Sequence, residues 1–401
     1  MNRIQKIYKL YPKSIWLYTL VVYLYIARKT IFNVTREIGT FEANLDRGTS
    51  LALLAILLSI FILYKNRQSV IQLNKDVFIF SKYYLFALFS FIWANNIGTI
   101  TFKAIEVIAN FYLIAVIIYK IKSPTLILFY IIILSTFTTF LDIINVNIRL
   151  GWALSHHTNA YTFTALIALL LSLGCIKMHI INYTKLRLII FFNIYALLAG
   201  TSSASYIAFI IGLIILLGSN QKGVNVFKTG VICIIIYICY YYFEDIIFKI
   251  IFKGKSQEAI ENGTGRLSIW TAALKAWEAS PLWGHGFLIG ERSLWKFDLQ
   301  LMVVSAHNAF ISVLVNTGII GGIIFIYFWL KWIWKVFHKS SQNKYAIIIF
   351  PVIISIFINC NAFPAIGSDW NYVAPSIYSL ITFSFVNLKN HANYLGYKKF
   401  S

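Results

Sequence analysis

Asn262-Gly-Thr-Gly-Arg266-Leu-Ser-Ile-Trp270, Pro281-Leu-Trp-Gly-His-Gly286 and Ala306-His307-Asn308 lie within or at the edge of one polar stretch, Glu244 to Ala306. The rest of the 401-residue chain is oily. It is 59% hydrophobic and 12% charged, with a mean hydropathy of +0.73. A soluble protein carries about twice that charge. Apolar runs of roughly 15 to 22 residues recur on both sides of the polar stretch, long enough as helices to cross a hydrocarbon layer of about 30 Å. The expected fold is all-α: a polytopic integral membrane protein, one membrane domain over 1–401, with 244–305 as a single large outer loop.

Twelve spans are expected, at 14–30, 49–64, 77–94, 101–119, 124–142, 160–176, 187–201, 205–218, 229–243, 306–330, 345–362 and 372–388. The first reads as a retained signal anchor, because no small-residue cleavage site follows it. Alternating the connections puts the N-terminus, 65–76, 120–123, 177–187, 219–228, 331–344 and 389–401 on one side. Those segments hold 21 of the 35 Lys and Arg residues and one acid, Asp76. Basic residues gather on the cytoplasmic side. Both termini are therefore expected in the cytoplasm and the 244–305 loop outside it, periplasmic in a bacterial inner membrane.

The net charge of +21 is thus mostly a topology signal and not a nucleic-acid surface. Some juxtamembrane lysines can also meet anionic lipid heads. Cys175, Cys233, Cys239 and Cys360 all sit in apolar runs without metal-ligand spacing and read as small buried hydrophobes. No span carries a charge at its midpoint, as an ion relay would require. Glu106, in the outer half of the fourth, comes closest.

Within the loop, Leu267, Ile269, Trp270, Leu274 and Trp277 recur at helical spacing over Arg266 to Glu278, and Pro281 ends the pattern. The spacing predicts an amphipathic helix in the membrane interface, with its tryptophans at headgroup level. Its first turn offers free N–H groups, the positive end of the dipole and the Arg266 guanidinium, an anion site suited to phosphate. That phosphate belongs either to a substrate or to a lipid head. His307-Asn308 opens the tenth span at its outer edge. A histidine there can take a proton from a hydroxyl or serve as a structural helix-start residue. Gly318, Gly321 and Gly322 allow close packing.

Two further polar clusters face the same side. Arg149-Leu-Gly-Trp-Ala-Leu-Ser-His156-His157-Thr-Asn159 precedes the sixth span, and Gly200-Thr-Ser-Ser203-Ala-Ser205 joins the seventh to the eighth. Three clusters on one face point to a shared cavity. The paired histidines have no carboxylate or cysteine at ligand spacing, so no metal is expected.

Gly265-Arg266 followed by Trp270, then Pro281-Leu-Trp-Gly-His-Gly286, Ala306-His307-Asn308 and Gly318-Ile-Ile-Gly321 resembles the signature of the O-antigen ligase and polymerase family. Gly151-Trp-Ala-Leu-Ser-His-His-Thr-Asn159 is similar to the Gly-x-Phe-x-His-Lys-Asn segment of its exopolysaccharide polymerases. The resemblance implies a GT-C-like glycosyltransferase that moves a glycan from undecaprenyl diphosphate to a sugar hydroxyl, without metal or cofactor and with inversion. It implies Arg266 and His307 as catalytic residues. Arg149, His156, His157, Asn159, Ser203, Ser205, Trp270, His285, Arg292 and Asn308 would line the substrate site. Lipid-linked donor and acceptor are the implied partners, with a chain-length regulator and a flippase as further ones.

One departure stands out. Where the family often carries an arginine after a Thr or Ser run, this chain has Thr201-Ser-Ser-Ala-Ser205 and none; Arg149, Arg292 and Lys103 are the bases on the same face. No close Asp/Glu pair stands among the clusters, so a two-carboxylate glycosidase scheme fits poorly. A polymerase is the leading expectation. A ligase acting on lipid A core is the alternative, and a lipid-linked-sugar flippase lacks the repeated halves and midplane charges of transporters.

Overall fold

A computed structural model describes residues 14–31, 47–94, 96–151, 159–220, 223–225, 228–232, 234, 266–298, 305–368 and 371–388. Helices account for nearly all of it. They are α1 Ser14–Ile31, α2 Arg47–Lys65, α3 Arg67–Phe89, α4 Ile97–Lys120, α5 Pro124–Leu150, α6 Ala160–Lys177, α7 Tyr183–Ala199 and α8 Ser203–Gly218. After a two-residue antiparallel pair, Ser219–Asn220 with Gly223–Val224, come α9 Arg266–Ala279 and the short α10 Ile289–Arg292. The chain closes with α11 Ala309–Ser340, α12 Lys344–Asn359 and α13 Ala374–Thr382.

The apolar runs become helices because an unbroken run of Leu, Ile and Phe can satisfy its backbone only within itself in hydrocarbon. Among the described residues four helices, α4, α5, α6 and α11, are long and apolar enough to cross a membrane. A fifth crossing arises if α2 and α3 count as one bent span. Ser14–Ala27, α8 and α12 are apolar but shorter, and the expected ninth span lies mostly outside the described residues. By length and composition this is a multi-pass membrane protein, with several runs short of the roughly 20 residues a straight crossing needs.

The expected 65–76 connection is corrected. It is helical, and α3 begins at Arg67 straight after a 98° bend from α2. Asn66 makes the corner: its side-chain amide donates to Ile62 O at 2.7 Å and to the Tyr18 hydroxyl at 3.0 Å. A side chain inserted at a helix break is a recognised cause of a sharp bend.

The core forms where α3, α4, α11 and α13 meet. Phe80 is its centre, with ring centroids 4.4 Å from Phe111, 5.1 Å from Phe328 and 5.2 Å from Tyr378. Beside it Trp332 stacks on Phe328, and Trp329 packs at a tilt against both. This block carries the N-terminal ends of α4 and α11, beside which the 281–298 segment docks.

Candidate functional site

The α11 helix is broken at Gly318, where φ is 63° and ψ is −168°. In an unbroken helix the N–H groups of Ile319 and Ile320 would bond the carbonyls of Val315 and Asn316. Here Pro281–Gly286 supplies all four missing partners. Ile319 N donates to Pro281 O at 2.8 Å and Ile320 N to Leu282 O at 3.4 Å. Val315 O accepts from His285 N, and Asn316 O from Gly286 N, both at 2.9 Å. The turn is thereby built into the helix. Side chains are barred at the contact: a Cβ on Gly318 would lie 2.2 Å from Leu282 O, and one on Gly284 would lie 2.6 Å from the backbone of Asn316, Thr317 and Gly318. The close packing expected of Gly318 is thus loop against helix.

The α9 helix forms where the spacing predicts, over Arg266–Ala279. The helix also packs against the protein. Ile269, Ala272, Ala273 and Ala276 are buried, against Leu294 and Val315, whereas Leu267 and Leu274 are 48% and 45% exposed. Small residues let α9 approach α11 closely, so the bulky leucines are turned outward.

Two side chains fasten α9 to its surroundings. Trp270 Nε1–H donates to Ala306 O at 3.0 Å, and His285 Nε2 bonds Ala276 O at 2.6 Å. Arg266 lies one turn before Trp270, and His307 follows Ala306. A single hydrogen bond therefore ties the arginine's helix to the histidine's segment. Arg266 opens α9 half-buried, and burial draws its guanidinium below the ordinary arginine value. Asn262 to Gly265 lie outside the described residues.

His307 adopts φ 52°, in the left-handed region that non-glycine residues seldom occupy. Its N–H donates to Ser305 Oγ at 3.2 Å. Strained backbone of this kind concentrates at functional sites. Asn308 caps α11, its Oδ1 accepting from Phe310 N at 2.9 Å and Ile311 N at 3.2 Å. Its side chain is thus committed to the helix start.

The other two polar clusters reach the same place by hydrogen bonds. Ser205 is fully buried; its Oγ accepts from Asn359 Nδ2 at 2.9 Å and lies 3.0 Å from Thr162 Oγ1. Thr162 in turn donates to Asn159 O at 3.1 Å. One residue beyond Asn359, Cys360 O accepts from Ala309 N at 2.8 Å. Asn159, Ser205, Asn359 and the start of α11 are thus linked in series. Ser203 begins α8, half-exposed. Arg149 is in the last turn of α5, and Arg292 ends α10, half-exposed. His156 and His157 lie outside the described residues. Lys103 is buried and donates to Glu106 Oε2 at 2.9 Å, one turn along the same helix. Among the described residues no group of three or more His, Cys, Asp or Glu could hold a metal.

Sequence reasoning passed over Glu291. It is 1% exposed, and its carboxylate accepts from Ser312 Oγ at 2.7 Å, Ser368 Oγ at 2.8 Å and Asn316 Nδ2 at 3.4 Å. Its own N–H donates to Asn316 Oδ1 at 3.0 Å. The signal was an acid twenty-five residues before an asparagine that precedes a helix-breaking glycine, too diffuse to read unaided.

Among curated proteins, none matches the chain. Residues 188–326 match the family model described as O-antigen ligase, a segment that holds Arg266, Trp270, the 281–286 turn, His307 and Gly318. The match spans about a third of the chain, and over that segment the protein is similar to the family so described.

Proposed function

We propose that the protein is a surface-polysaccharide polymerase, transferring a growing glycan from undecaprenyl diphosphate to a lipid-linked repeat unit at the outer face of a bacterial inner membrane. The observation that carries this reading is the Trp270–Ala306 hydrogen bond, which holds the Arg266 helix beside the His307 segment. In the proposed reaction the acceptor hydroxyl oxygen attacks the anomeric carbon and the carbon–oxygen bond to diphosphate breaks. The electron pair leaves on the diphosphate, and the acceptor proton passes to His307. Arg266, always protonated and able to bind phosphate as a fork, stabilises the leaving charge. Such a displacement inverts the anomeric centre. Diphosphate is already a good leaving group, so positioning and charge stabilisation are the main tasks left to the protein. Arg149, His156, His157, Asn159, Ser203 and Arg292 are the proposed substrate contacts. Ser205, Asn308 and His285, engaged as described, would hold the walls.

A second reading is favoured by the description of the matching family model, O-antigen ligase, in which the acceptor is another cell-surface molecule such as lipid A core. Deletion of the gene separates the two. Surface glycan capped at one repeat unit identifies a polymerase; unligated, lipid-linked polymer identifies a ligase. Normal long-chain surface glycan would overturn both.

A further inference from the structure

Glu291 is a buried acid that ties together three separate segments. From the outer loop it brings α10. From α11 it takes Ser312 and Asn316, both on the piece N-terminal to the Gly318 break. From the segment 361–368 it takes Ser368, next to Gly367, whose N–H donates to the Tyr84 hydroxyl and whose carbonyl accepts from the Tyr83 hydroxyl. Those tyrosines stand in the rigid aromatic core of α3. A buried carboxylate is costly unless donors surround it, and one that has them holds their segments in a single arrangement.

Gly318 separates the piece that Glu291 holds, 309–317, from the long second half of α11, so its orientation is set by what bonds to it: the 281–286 turn, Cys360 O and Glu291. At its first turn stand the Asn308 cap and the strained His307. We propose that Glu291 is a positioning residue. By anchoring Ser312 and Asn316 to the core through Ser368, it sets the orientation of 309–317 and so aims His307 at the acceptor. This rests on the reading of His307 as the acceptor-side group.

The test uses the purified full chain in detergent, as wild type, Glu291→Ala, Glu291→Gln and Ser312→Ala. Backbone hydrogen exchange is followed over 305–317, with 97–120 as reference, and kcat and KM are measured with lipid-linked repeat unit extracted from the producing cells. Glu291→Ala should speed exchange over 305–317 by about tenfold or more and leave 97–120 unchanged. It should lower kcat by about tenfold with KM within about twofold, the pattern of a lost transition-state alignment. Glu291→Gln should restore both substantially, because the Ser312 hydroxyl can rotate to accept from the amide. If Glu291→Ala fails to fold, Ser312→Ala, which removes one donor only, carries the same expectation over 305–313. Unchanged exchange in Glu291→Ala and Ser312→Ala overturns the proposal, as does faster exchange in them with kcat intact. Wild-type protein that transfers nothing overturns the assigned reaction and the proposal with it; a wild type that is active beside a fully active Glu291→Ala overturns the proposal alone.

Discussion

Trp270 donates its indole N–H to the carbonyl of Ala306 across 3.0 Å, joining a helix and a helix start that are 36 residues apart in the chain. Trp270→Phe keeps an aromatic ring, though a smaller one, and removes the donor. A neutral hydrogen bond of this kind contributes about 1 kcal/mol, so stability should fall only slightly. Transfer should fall further, since the bond sets the Arg266 helix against His307. Thermal unfolding of the purified variant and glycan length in cells measure the two effects. Equal small losses in both would mean that the bond is only structural.

Arg266→Lys retains charge but not the planar fork. Polymer yield should drop by about a hundredfold, near the loss on removing one preorganised donor, with protein level in the membrane unchanged. Full yield in both Arg266→Lys and Arg266→Ala would reduce this residue to a lipid-headgroup contact.

His307→Ala should fold and insert while lipid-linked donor accumulates. His307→Gln tells the two possible roles apart, because glutamine can hold a hydrogen bond to the acceptor but cannot take its proton at neutral pH. Substantial activity in His307→Gln would assign orientation in place of base catalysis. If both variants make polymer of normal length and yield, the assignment moves to His156 or His157.

Gly318→Ala and Gly284→Ala should each abolish folded protein, because their Cβ atoms would meet loop or helix backbone at 2.2 and 2.6 Å and both have positive φ. Gly98→Ala, in α4 with nothing within 4 Å of the added carbon, should be neutral or stabilising by up to about 1 kcal/mol. Folded yield by size exclusion in detergent distinguishes them. A monodisperse Gly318→Ala protein would mean that the loop does not dock as described.

Orientation is tested by cysteine labelling in a cysteine-free background. Ser256→Cys should react with an impermeant thiol reagent on cells with a permeable outer membrane. Ser341→Cys, at an exposed position, should react only after lysis. The reverse pattern would put the site on the cytoplasmic side.

The parts of this architecture that depend on nearby residues were readable in the sequence. The α9 helix follows from apolar spacing over Arg266 to Glu278 and from Pro281, and most apolar runs appear as helices close to their expected bounds. What escaped depends on distant partners. The break at Gly318 looks like a packing glycine until the turn at Pro281–Gly286 is seen completing it. The second, protein-facing side of α9 was not legible, because the alanines that the close approach to α11 selects carry little weight in an apolar pattern. Glu291 gave no signal because its donors come from two other segments. The bend at Asn66 was hidden because a helix that turns a corner keeps its helical spacing on both sides.

The exchanged hydrogen bonds at Gly318 also bear on how the chain enters a membrane. Taken alone, α11 would carry four unmet backbone groups into hydrocarbon, which makes it a poor independent span. Its complement, Pro281–Gly286, is synthesised earlier and is already present when α11 inserts. The two should therefore behave as one unit of assembly. A chain severed between 299 and 304 should reconstitute from its halves when both are co-expressed, whereas the C-terminal half alone should be rejected by the membrane or degraded.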